Sequence, residues 1–143
     1  MASGDSLLIF TATMAEPGTQ TVNFATFDTR NGQPVLNFVS GTTVTTQFSG
    51  VLPQHYGGGG LTVNTHFAAG TATAGTLVVG MAVERIGTVL DIDADSYATT
   101  LYGTLTMPAT SGLLGTQSIA FSSGAAMDSL AVGEGFRLQV QRV

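Results

Sequence analysis

The feature that most constrains this chain is a period-two alternation of apolar and polar residues that recurs along most of its length. In "LTVNTHF", Leu61, Val63 and Phe67 fall on one side and Thr62, Asn64 and His66 on the other. In "YATTLYGTLTM", Tyr97, Leu101, Leu105 and Met107 share a side that opposes a row dominated by Thr. "EGFRLQVQRV" buries Phe136, Leu138 and Val140 and exposes Arg137, Gln139 and Gln141. Shorter versions turn Val22 and Phe24, Leu36 and Phe38, and Val44 and Phe48 inward. A repeat of two residues is the period of a strand with one covered face, and the β-branched side chains of these segments favour the same state.

One segment breaks the pattern. "TLVVGMAVERI" is apolar on both faces until Glu84 and Arg85, which predicts a mid-sheet strand covered on both sides, a neighbouring subunit being one candidate cover. Between strands lie turn sequences such as "EPGTQ", "RNGQP", "VSGTT", "AAGTATAGT" and "PATSGLLGT". One helical turn is expected over residues 125–132, closed by Gly133. About eight strands at short intervals, with no strand–helix alternation, predict an all-β antiparallel β-sandwich. The leading topology is a jelly roll. Residues 1–143 read as one domain, with 1–5 as a short N-terminal arm.

Charge narrows the partners. Charged residues make up 9% of the chain against about 25% in an average globular domain, and the only cations are Arg30, Arg85, Arg137 and Arg142. With a net charge of −5 and no basic cluster, nucleic-acid binding is excluded as an expectation. No apolar run reaches the roughly 18 residues of a membrane helix, so no membrane partner is expected. "LLIF" is too short for the core of a secretion signal, which points to synthesis in the cytoplasm. Low charge with a mean hydropathy of +0.33 implies that much of the surface is covered, most simply by further copies of the chain.

Site chemistry is sparse. There is no Cys, and neither His55 nor His66 sits in a nucleophile motif or beside further metal ligands, so the chain reads as a non-enzyme without a cofactor. Two readings compete for "PQHYGGGG". Gly57–Gly60 answer a backbone demand for positive φ or close approach, or Pro53, Gln54, His55, Tyr56, Gly57 and Gly58 form a projecting contact loop. A phosphate loop is disfavoured, since the glycines open a strand and no Lys follows. Arg30 beside Asp28 reads as an exposed pair, and Arg85 beside Glu84 as an interface residue. "DIDADS" places Asp91, Asp93 and Asp95 as the first ligands of a calcium loop would be. Ser96 and Tyr102, however, stand where that loop needs Gly and Glu. Strand parity would drive all three Asp into the core, so the chain must break near Ser96, and a turn capped by its own Asp side chains explains the composition. A cation site survives only if another segment, such as Asp128, or another subunit completes it.

The phrases "NFATFDTRNGQPVLNF", "FSGVLPQHYGGGGLTV", "VERIG…DIDADSYAT" and "MDSLAVGEGFRLQVQR" resemble small jelly-roll virion proteins of tailed bacteriophages. The resemblance covers residues 22–64 and 83–142. It implies a homo-oligomer, a trimer by preference, attached to a phage head or tail, and a single compact domain without fibre repeats or coiled-coil heptads favours a capsid decoration (cement) protein of the head. Such a protein would sit on the phage major capsid protein and belong to the virion. The alternative is a receptor- or glycan-binding module of a tail tip or fibre, against which the lack of Trp and the presence of only three Tyr count.

Overall fold

The computed structural model describes residues 6–17 and 23–143. Over these residues it is an all-β sandwich of nine strands: β1 (Glu16–Pro17), β2 (Thr26–Arg30), β3 (Gln33–Asn37), β4 (Val44–Val51), β5 (Leu61–Ala68), β6 (Thr76–Ile86), β7 (Leu101–Thr106), β8 (Leu114–Phe121) and β9 (Gly135–Arg142). The expected arm at 1–5 and the inward side chain of Val22 lie outside the described residues.

A five-stranded sheet, in the order β1-β4-β9-β6-β7, forms one layer. The facing layer contains the pair β5-β8, and the hairpin β2-β3 stands beside it as a separate two-stranded sheet. The antiparallel pairings β4 with β9, β5 with β8 and β6 with β7 are nested, as when one long hairpin is wound up. The nest is three pairs deep. Among the described residues the fourth pair of an eight-stranded jelly roll is missing, because the stretch between β6 and β7 forms turns rather than strands.

Alternation sets the core. The inward row of β6, Val79, Met81 and Val83, packs with Phe136, Leu138 and Val140 of β9. Ile119 and Phe121 of β8 close over them from the other layer, with Leu61, Val63 and Phe67 of β5 at the margin. Phe121, Met81 and Val79 are at most 1% exposed. β7 meets β8 where the layers join, with Leu105 over Gly115 and Gln117 over Gly103.

The expectation for β6 holds, with a different cover. It lies mid-sheet, and its second face, Gly80, Ala82 and Glu84, is buried within the chain. Small residues at 80 and 82 let long neighbours lie flat, and a side chain added at Gly80 would meet Gln141 and Tyr102 at 2.7 and 2.8 Å.

Three sequence expectations are corrected. Tyr97 is not on the inward side with Leu101: its hydroxyl donates to Gln47 Oε1 at 2.6 Å, on the opposite face of the five-stranded sheet. The chain leaves strand geometry at Ser96, so parity does not carry from Leu101 back to Tyr97. Phe24 is 45% exposed, because its segment makes only a single bridge to Thr45 and β2 starts after it. The helical turn shrinks to a 3-10 turn at Ala125–Met127, ended by Asp128 and Ser129 at φ +55.

Candidate functional site

Three features carry polar chemistry or open space: a cluster at the loop end, a buried ion pair on the outer face, and a cleft beside the β2-β3 hairpin.

At the loop end, Arg85 is the last residue but one of β6 and ends its inward-facing row. Its guanidinium makes a two-pronged ion pair with Glu134, Nε to Oε2 at 2.7 Å and Nη2 to Oε1 at 2.8 Å. Glu134 Oε2 also accepts from the Ala131 amide, and Asp128 Oδ2 accepts from the Arg85 amide at 2.9 Å. Charge follows geometry: the hydrogen bond to Glu134 raises Arg85, with Asp128 and Asp95 adding to it. The same bond, with that from Ala131, holds Glu134 below the usual carboxylate range. The pair ties β6 to the loop before β9 within one chain.

The expected contact loop packs on this cluster. The Leu52 amide donates to the Glu134 carbonyl, the Leu52 carbonyl accepts from the Gly133 amide, and Gln54 lies against Gly133. Pro53 accepts from the Tyr56 amide. Tyr56 is half-buried against the core with its hydroxyl on Met127 Sδ, so it anchors the loop rather than projecting. Gln54, His55, Gly57 and Gly58 are exposed. Of the four glycines, Gly58 adopts φ +85, and a side chain at Gly60 would strike the Phe121 carbonyl oxygen at 2.3 Å. The backbone demand therefore explains these two positions.

Asp91, Asp93 and Asp95 form a turn. Asp91 Oδ1 accepts from the Asp93 amide, and the Asp91 carbonyl accepts from the amides of Ala94 and Asp95, each at 3.0 Å. Asp95 adds its negative charge to the surroundings that stabilise Arg85. Among the described residues no three His, Asp or Glu side chains gather as metal ligands.

On the outer face, Glu84 of β6 is 1% exposed and stands directly across from Arg137 of β9, Oε2 to Nη2 at 2.5 Å. Tyr97 covers the pair, its ring 5.7 Å from the Arg137 guanidinium. The Glu84 carboxylate raises Arg137, and burial pushes the Tyr97 phenol up to about 12. Adjacent-residue pairing of Glu84 with Arg85 is thus corrected. Neighbours along a strand point to opposite faces, and the true partners lie across strands or in the next loop. Arg30 likewise does not pair with Asp28: it donates to the carbonyls of Ala69 and Gly70 at 2.7 and 3.4 Å. Arg142 donates to the Phe38 carbonyl at 3.0 Å.

A cleft of about 1140 Å³ lies between β3 and β5. Its walls include Leu36 and Phe38 on one side and His66 and Phe67 on the other, over a floor of Phe48 and Val140. The His66 Nδ1 shares a hydrogen bond with Thr116 Oγ1 at 3.0 Å on the outer side of β5-β8. No local pattern signals this opening, which arises from the hairpin standing apart from β5. No protein-family model, curated protein or solved structure matches the chain.

Proposed function

We propose that this is a structural protein of a bacteriophage virion, a decoration (cement) protein that self-associates and caps the major capsid protein of the head. The observation that carries the reading is the disposal of charge. All four arginines of a chain without Lys are bonded within the chain. Large apolar side chains meanwhile stand outside, among them Ile9 at 69%, Phe27 at 63%, Ile92 at 72% and Leu114 at 70% exposed. A surface with its cations occupied and scattered apolar groups loses little on desolvation and gains by packing, as obligate assemblies do. The nested strand pairing supports reading the sandwich as a shortened jelly roll. Arg85 and the exposed loop residues Gln54, His55, Gly57 and Gly58 are candidate contacts, with Pro53 and Tyr56 bracing the loop from below. The role involves no cofactor, nucleic acid or membrane, and the protein, made in the host cytoplasm, ends in the virion as a trimer.

Light scattering at micromolar concentration gives a multiple of 14.6 kDa on this reading. A reconstruction of the purified particle places the protein on the head surface. A clean monomer removes the self-association, and density confined to the tail tip removes the decoration role in favour of a receptor- or glycan-binding module.

A further inference from the structure

We propose that the cleft between β3 and β5 is a slot for one extended strand, and that its occupant is the segment Ser6–Ile9 of a second copy of this chain. The inference rests on self-association as read above.

Two observations specify a strand. Among the described residues β3 has no strand partner but β2 and β5 none but β8, so each wall has a strand edge without a strand on it, with the 3-10 turn Ala12–Met14 of the same chain packed beside part of β3. Such edges are templates for an added strand. The floor is the inward face of the five-stranded sheet, including Phe48 and Val140, so an inserted strand finds an apolar surface beneath it. With one strand added, the facing layer would read β2-β3-insert-β5-β8, five strands opposite five.

Charge specifies the side chains. Arg30 and Arg142 line the slot, but their guanidiniums already bond the carbonyls of Ala69, Gly70 and Phe38. An uncharged segment therefore fits better than an acidic one. Val39 and Leu114, 53% and 70% exposed, add apolar rim.

The chain itself contains a matching segment. Leu7, Leu8 and Ile9 follow one another outside any strand or helix and are 61%, 39% and 69% exposed. They do not line their own cleft. Phe10 is fixed on Phe48 and Phe136, with ring centroids 5.6 and 6.2 Å away, and residues 10–12 line the cleft, while 7–9 lie outside it. The segment is thus positioned to leave one molecule and enter another, and repetition of that step around a closed ring gives an oligomer.

The absence of Cys makes the test direct. One preparation carries Leu8→Cys, and another carries Cys at an exposed wall position, Asn37→Cys or Ala68→Cys. Mixed and oxidised, they give a disulfide-linked species of about twice 14.6 kDa that contains one of each chain. Leu7→Asp/Ile9→Asp, which alters only exposed side chains, keeps the strand content and shifts the light-scattering mass to that of the monomer. If oligomers form but neither wall position cross-links to Leu8→Cys in trans, or if a chain carrying both Leu8→Cys and a wall cysteine closes only on itself, the slot assignment fails while the capping role stands. A monomeric unsubstituted protein overturns both.

Discussion

Replacing Arg137 by Ala should be among the most damaging single changes on the outer face, although Arg137 lies outside the hydrophobic core. In the folded chain Glu84 is 1% exposed and Arg137 about a quarter exposed, so the two charges are not equally solvated. Removing the arginine strands a carboxylate beneath Tyr97 with its cation gone, a change that typically costs about 3–5 kcal/mol. For a chain of 143 residues the unfolding entropy is roughly 0.3 kcal/mol per degree, so a loss of about 3 kcal/mol lowers Tm by about 10 °C. Glu84→Gln should cost less, about 1–2 kcal/mol, because the remaining guanidinium reaches water. The double variant Glu84→Leu/Arg137→Met removes both charges at similar volume and should fall within about 1 kcal/mol of the parent or above it. Urea unfolding followed by circular dichroism reads all three as midpoint shifts at constant slope. A cost below about 1 kcal/mol for Arg137→Ala, or a double variant as weak as that single one, would refute the account of the pair.

Gly60→Ala should destabilise by about 1–3 kcal/mol, because its new methyl group meets the Phe121 carbonyl at 2.3 Å, whereas Gly59→Ala, with open space around it, should stay within about 0.5 kcal/mol. Equal effects at the two sites would contradict the close approach. Tyr97 sets an alkaline limit. Its phenol keeps its proton to about pH 12 in the folded chain but to about 10 when unfolded, so the stabilisation is complete below pH 10 and is lost as pH rises toward 12. The full shift corresponds to roughly 2.7 kcal/mol, which partial solvation of the ring reduces to about 1 kcal/mol. Tyr97→Phe should flatten that limb of the stability–pH curve, and an unchanged limb would place its origin elsewhere.

The strands were legible where one side chain in two had to be buried, because burial writes a period into the sequence. β5 and β7 carry that period over their whole length, and "RNGQP" marks the hairpin turn, where Asn31 and Gly32 both take positive φ. β2 was less legible because every residue in it is exposed, so its pattern reports no buried face. Tyr97 was misplaced for a related reason. Alternation propagates only while the backbone stays extended, and the turn that begins at Asp91 restores strand geometry with the phase reset.

The ion pairs follow from parity together with register. Parity alone excludes Glu84 with Arg85 and leaves Glu84 facing the outer side. Only the pairing of β6 with β9 brings Arg137 opposite it, and that pairing joins residues more than fifty positions apart. The cleft required still more, namely the separation of two sheets that no local pattern encodes. Sequence periodicity therefore identifies which face of a strand is covered, and the partners of its polar residues appear only once the strands are assembled. Because the four arginines all find such partners, the low charge of the chain becomes a property of its surface and not only of its composition. That step turns an unusual composition into an argument for packing against other copies.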